Sequence, residues 1–385
     1  MFTLTGVRVV DADGAREANV VIDESTGRIA SVGDETEGET RNLSGSVVAP
    51  GLVDAHVHLM MDGRPDVAAY QSEPVERACY RAAANLQKTL EAGVTTVRDL
   101  GSPGDLATSA KAAVADGELD GPRVLAAGEN VTMTGGHGHW FGREADGPNE
   151  VRKAAREQLK RGADVVKCMA TGGVLTTGAV TGAPEFTEAE IRALVDAASA
   201  KGVPTAAHAH GEAGIKNAAR AGISSVEHGM FMDEEAAALM VEHGTYWVPT
   251  ASAVREIVEA GVEAGIPPEA VAKAEDAAER FEVAWEHALD AGVKIAMGTD
   301  AGTPFNDHGE NALREMELLV EYGLSPAEAL EAATVGGADL LGLDDAGKVA
   351  EGYVADLVVL DADPSEDAGA WRTVRQVYRE GERVV

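Results

Sequence analysis

Apolar and polar positions alternate along the chain with two periods in turn. A stretch with apolar residues every three to four positions runs to a glycine, and a short, almost wholly apolar run follows. Ala92-Gly93 leads into Val94–Asp99, Arg161-Gly162 into Ala163–Cys168, and Lys201-Gly202 into Val203–His208. Ala221-Gly222, His243-Gly244 and Ala291-Gly292 open runs ending at His228, Thr250 and Asp300. Glycine suits the left-handed position just past a helix end, and continuous apolar runs suit strands buried on both faces of a parallel sheet. The pattern predicts helices over 74–92, 104–117, 149–162, 187–201, 211–222, 233–243, 252–291 (broken near Gly261–Pro268) and 308–341. With Val48–His58 and Arg123–Gly128 added, the intervening runs make eight strands. Eight strand–helix units predict an α/β protein with a (β/α)8 TIM barrel over residues 51–344.

The ends of the chain read differently. Val7–Val10, Val20–Ile22 and Ile29–Val32 are short β segments separated by the turns Asp11-Ala-Asp-Gly14 and Ser25-Thr-Gly27. Ala355–Leu360, Val374–Tyr378 and Arg383–Val385 are strand-like again. Neither end is long enough to hold a core alone. Residues 1–50 and 345–385 are therefore expected to combine into one small β-sandwich domain.

Charge narrows the partners. The net charge is −33, from 65 acidic and 32 basic residues, which opposes nucleic acid and anionic membranes. The expected partner is a small molecule; the oligomeric state, including a homo-oligomer, stays open. The acids are spread among apolar periodic segments, so the reading is a hydrated, salt-adapted (halophilic) surface and not disorder. Two cysteines give no disulfide framework. No basic-then-apolar leader and no membrane-spanning run is visible, so a cytoplasmic location is expected. Self-repulsion should grow in dilute buffer, where the Debye length reaches about 30 Å at 0.01 M. The melting temperature should rise between dilute and molar potassium chloride; equal values would contradict the salt adaptation.

Candidate chemistry gathers at strand ends. His56 and His58 lie two apart on a strand and share a face. Lys167, His208, His228 and Asp300 close the fourth, fifth, sixth and eighth expected strands. The C-terminal strand ends of such barrels carry the active site, and imidazole is the commonest metal ligand. His210 shares a face with His208 and competes with it as a ligand. His137 sits in a glycine-rich loop after the third strand, where it is assigned to the substrate carbonyl or oxyanion. His139, Arg143, Arg255 and His308 are candidate substrate contacts, the two arginines as anchors for a substrate carboxylate. Arg98 beside Asp99 suggests a buried ion pair, and Cys168 is read as a core thiol.

Pro50-Gly-Leu-Val-Asp-Ala-His-Val-His58, Gly298-Thr-Asp300 and Gly352-Tyr-Val-Ala-Asp-Leu-Val-Val-Leu360 stand in the order of the opening, closing and return motifs of the metal-dependent amidohydrolase superfamily, which the chain resembles over nearly its whole length. Thr134-Gly-Gly-His-Gly138 and Ala170-Thr-Gly-Gly173 look like its Xaa-Pro dipeptidase and imidazolonepropionase-related branch. The resemblance implies two divalent metals, one held by His56, His58 and Asp300, the other by His208 and His228. Lys167 would bridge them as a carbamate formed with carbon dioxide or bicarbonate. Borderline imidazole ligands suit zinc. The implied reaction is attack by a bridging hydroxide on an amide C–N bond, in a dipeptide or N-acyl amino acid, with Asp300 carrying the proton. A cyclic amide fits less well, because the bridging lysine departs from imidazolonepropionase-like single-metal sites. Deamination fits less well, because Gly211 stands where such deaminases carry Glu. Ester, lactone or phosphotriester hydrolysis would use the same metals. A non-catalytic barrel would be expected to have lost a ligand, and none is missing.

Overall fold

The structure is a computed structural model that describes all 385 residues. Strands from both ends of the chain hydrogen-bond into one sheet. Its order is Glu382–Arg383, Val374–Arg379, Leu357–Leu360, Val47–Pro50, Phe2–Asp11, Gly14–Asp23 and Arg28–Gly33, with Glu39–Asn42 also paired to Phe2–Asp11. The first strand serves two parallel neighbours because its register shifts between Leu4 and Val7. Successive side chains of a strand point to opposite faces, and here the two faces belong to different cores. Val48, Leu357 and Val359 join Phe2, Leu4 and Val9 in a small core. Val47, Ala49, Val358 and Leu360 join the main one. The expected two-sheet sandwich is instead a single continuous sheet with one face on its own core and the other on the barrel region.

One residue, Gly51, separates Val47–Pro50 from the next strand, Leu52–Val57. A Cβ at Gly51 would lie 2.2 Å from Thr95 Oγ1, so only glycine lets the chain pass between the two sheets. Leu52–Val57, Val94–Asp99 and Arg123–Ala126 form a three-stranded parallel sheet. Val131–Thr132, Val166–Met169, Thr205–Ala209, Ser225–His228 and Tyr246–Val248 lie in a second parallel sheet, with Arg143–Glu144 at its edge.

The expected eighth strand does not form a ladder. Residues 294–301 bridge the two sheets at single points, Trp247 to Ile295 and Val57 to Ala301. Ala55 N–H donates to Met297 O at 2.9 Å, and Asp300 N–H to His56 O at 2.7 Å. The approach is close at Gly298, where a Cβ would be 2.5 Å from Val248 Cγ1 and 3.0 Å from His56 N. Asp300 then turns into the left-handed region, at φ 58°. The third expected strand is present as Arg123–Ala126, and a further short strand, Val131–Thr132, follows it.

Helices alternate with these strands at Val75–Glu91, Leu106–Ala115, Gly147–Lys160, Glu188–Ser199, Glu212–Ala221 and Glu234–His243. The break expected near Gly261–Pro268 is present, between Ala251–Ala260 and Pro268–Ala291. The single helix expected over 308–341 is not. Glu310–Glu321 ends, and Pro326–Glu331 restarts behind a capping box of Ser325 and Glu328. A π turn, Ala332–Gly336, leads to Gly337–Leu341. No helix is long and apolar enough to cross a membrane.

Candidate active site

A pocket opens at the C-terminal ends of the parallel strands, with His56, His58, His137, Lys167, the three histidines 208, 210 and 228, and Asp300 in its lining. Two donor groups face one another there. In the first, Asp300 Oδ1 lies 3.3 Å from His56 Nε2 and 3.3 Å from His58 Nε2. In the second, one ring nitrogen each from His208, His210 and His228 lies within 4.8 Å of the others. The groups adjoin: the His56 and His228 ring centroids are 5.1 Å apart. Lys167 is 1% exposed and lines the same pocket from the strand Val166–Met169.

The histidines are held so that one ring nitrogen of each stays free. His58 Nδ1–H donates to Gly101 O at 2.9 Å, leaving Nε2 toward Asp300. Thr250 donates its hydroxyl to Pro249 O, so it accepts from His228 Nδ1–H at 2.7 Å, and His228 Nε2 is left unprotonated. His56 Nδ1 lies 2.9 Å from Glu227 Oε2. Glu227 pairs in turn with Arg98 at 3.1 Å, both fully buried. This Arg98–Glu227–His56 chain was not found in sequence: Arg98 was matched to its neighbour Asp99, whereas its partner lies 129 residues away. A glutamate at an inward-facing strand position one residue before a candidate ligand was the available signal. A carboxylate behind a ligating imidazole fixes ring and tautomer and raises its basicity.

Strain accompanies this arrangement. His228, Thr250 and Asp300 all adopt positive φ, 69°, 51° and 58°. Such conformations cost on the order of 1–3 kcal/mol each and gather at functional sites. Here they turn His228 and Asp300 into the pocket at strand ends.

Burial keeps the imidazoles in their ligating form. It pushes His56, His208 and His228 well below the ordinary range, and neighbouring cationic groups push them further. Burial likewise lowers the Lys167 ammonium to about 8, which favours the neutral amine needed for a carbamate. His208 Nε2 and His210 Nδ1 are buried without any hydrogen-bond partner. Buried polar atoms are rarely left so, and two orphaned imidazole nitrogens within a five-histidine, one-carboxylate set fit divalent cations. The competition between His208 and His210 is not decided for one of them, since both belong to the second donor group.

His137 stacks on His208 with centroids 4.3 Å apart. Its backbone N–H donates to both Glu185 oxygens at 2.9 Å, and burial lowers its imidazole to about 3. Four other expected contacts lie elsewhere. His139 is exposed, bonds Gly136 O through Nδ1 at 2.9 Å, and faces an adjoining outer chamber beside Trp140. Arg143 is pinned by Glu157 at 2.9 Å and by the Glu144 carbonyl, out of the pocket. Arg255 pairs with Glu259 at 3.3 Å and Glu321 at 3.1 Å, one step round its helix from the pocket-lining Val254. His308 is buried behind the site with Nε2 3.1 Å from Met61 O. Cys168 is fully buried in the main core.

Two groups of candidate metal ligands at the strand ends of a barrel-type fold point to the class. The chain belongs to the amidohydrolase family, whose sequence model matches residues 47–384. It is similar to ochratoxinase of Aspergillus niger, with 32% identity over 411 residues, covering 95% of this chain and 82% of that one. The crystal structure of that ochratoxinase superposes with a TM-score of 0.89 at 30% identity, covering 99% and 94%. A Xaa-Pro dipeptidase solved with methionine in its active site superposes at 0.91 and 33%, covering 99% and 98%. A prolidase complexed with N-methylphosphonate-L-proline superposes at 0.91 and 32%, covering 99% and 98%. The fold is of the TIM-barrel type, and the chain is a hydrolase acting on carbon–nitrogen bonds.

Proposed function

We propose that the chain is a binuclear metal-dependent amidohydrolase that cleaves the amide bond of small N-acylated amines, with dipeptides and N-acyl amino acids the first class to test. Its frame is a (β/α)8 barrel closed through residues 294–301, with residues 1–50 and 345–385 as the accompanying β domain. The carrying observation is the pair of adjoining donor groups with Lys167 beside them in one pocket. His56, His58 and Asp300 would hold one ion, and His208 with His228 the other, with His210 as a further imidazole at the second. Lys167 would bridge as a carbamate, an anion with two oxygens in place of a repelling ammonium. When bound, two such ions polarise a carbonyl and acidify water for attack; borderline nitrogen ligands favour zinc.

The chain's own residues do the rest. Asp300 has a second oxygen beside the one near the histidines, so it can take a proton and pass it to the leaving nitrogen. The Thr176 hydroxyl lies 2.8 Å from His137 Nδ1; if it donates to that nitrogen, Nε2–H is left to face the substrate oxygen. Desolvation keeps His137 neutral, so it donates a hydrogen bond without adding a second cation beside the ions.

The test is a library of dipeptides, N-acyl amino acids and their carboxamides, assayed for amine release with zinc and bicarbonate at high salt. Metal analysis of the purified protein accompanies it. Amine release with two metal equivalents per chain is the expected result. Near-zero metal after careful loading, with no turnover of any amide, contradicts the proposal.

A further inference from the structure

The wall of the pocket above the donor groups is apolar. Met61, Trp140, Leu175, Met230, Val254 and Ile257 line it, drawn from five separate segments. No arginine lines it, and its only ammonium is Lys167, on the floor among the imidazoles. The neighbouring cations are engaged outside the lining, Arg280 by stacking on the Phe231 ring at 3.7 Å. Arg143 and Arg255 are tied to glutamates outside the pocket. Lys273 reaches the pocket-lining Thr176, but its Nζ donates to Thr176 O at 3.1 Å and pairs with Glu269 at 2.7 Å. The outer chamber, which shares Val67, Trp140, Val174, Leu175 and Thr176 with the inner one, adds the carboxylates Asp66 and Glu269 and the imidazole of His139, but no lysine or arginine.

An anionic substrate would therefore approach a protein of net charge −33 and find no free cation beyond the floor of the site. A buried carboxylate without a partner is costly, whereas an apolar group meets a wall built for it. We propose that this pocket selects its substrate by a bulky, uncharged apolar group flanking the scissile amide, and that a free substrate carboxylate adds nothing to recognition. The inference rests on the amide-hydrolase reading above and refines its substrate class from dipeptides in general to apolar, neutral-flanked amides.

Two matched pairs test it on the zinc-loaded protein in molar salt: N-benzoylphenylalanine with its carboxamide, and N-acetylglycine with its carboxamide. Release of benzoate or acetate gives kcat/KM, and calorimetry gives binding of the same four compounds. The expected acid-to-carboxamide ratio is within about threefold in each pair, since a lost charged hydrogen bond would shift it by about tenfold or more. The benzoylphenylalanine pair is expected to exceed the acetylglycine pair by at least about tenfold, the low end for burying one large apolar side chain. Leu175→Arg, which sets a guanidinium into the lining, is expected to create an acid preference of about tenfold or more.

A tenfold acid preference in the unmodified protein overturns the inference, as does equal use of the acetylglycine pair. An unchanged ratio in Leu175→Arg overturns the assignment of this wall to the substrate. If no compound is hydrolysed, the amide reading fails separately, and calorimetry still decides the pocket's preference. Failure of the benzoylphenylalanine pair to bind at millimolar concentration then overturns the inference as well.

Discussion

Asp300→Asn is expected to lower kcat by more than about 10²-fold, the low end for a positioned proton carrier, while part of the metal is retained. Asparagine keeps one side-chain oxygen where Oδ1 now lies 3.3 Å from both His56 and His58 Nε2. It loses the second carboxylate oxygen, which is the proposed proton acceptor. The backbone gives little cause for collapse. Asp300 sits at φ 58° with its N–H on His56 O at 2.7 Å, and Thr303 Oγ1 donates to its carbonyl at 2.9 Å. Asparagine is among the residues best tolerated at positive φ. A loss of activity therefore reports on chemistry, provided the melting temperature of the metal-free protein is unchanged. The measurements are kcat on the best amide, metal content and thermal unfolding. A tenfold loss or less would assign the proton to another group. His308, expected from the sequence as a substrate contact, is not placed for that role, because it does not line the pocket.

The positions that were legible in sequence are those fixed by short-range geometry. His56 and His58 share a face because strand side chains alternate, and the strand-end residues Lys167, His208, His228 and Asp300 meet because parallel strands end on one side. His137 was legible as a loop histidine beside glycines, though not its stacking on His208. The misplaced residues are long cations. Arg143 and Arg255 do follow strand ends, but a guanidinium on a flexible stem goes where carboxylates are. Those are Glu157, fourteen residues on, and Glu321, sixty-six residues on. No periodicity encodes such pairings. The eighth run was legible as the segment between the two sheets, but an apolar run does not reveal its irregular pairing or the left-handed turn at Asp300. The break after Glu321 was legible in principle. Ser325-Pro-Ala-Glu328 is a helix-start signature, with Pro at the first turn and Glu three residues after Ser, hidden by the apolar period running through it.

Lys167→Ala is expected to lose metal and activity together. Lys167 pairs across the sheet with Ala206, and its neighbour Met169 pairs with His208, so its side chain rises from the strand beside the one that carries the second donor group. It is the only lysine in the pocket lining. Without it, the histidine groups and Asp300 remain, but nothing bridges them. Loss of an outer hydrogen-bond partner of a metal ligand costs about 10–100-fold in affinity or activity. Loss of a bridging ligand should exceed that, with kcat falling by about 10²-fold or more and bound metal dropping below two per chain. The cavity left by the side chain has the chemistry to admit a small carboxylate, since imidazoles surround it and the proposed cations would stand beside it. Acetate or formate at high concentration should then restore part of both metal content and turnover, while chloride at equal ionic strength should not. This comparison separates bridging from packing. A merely structural lysine would give a variant whose stability falls and whose activity no carboxylate restores. Full activity in Lys167→Ala without additive would remove the bridge from the mechanism and leave the two donor groups to act as separate sites.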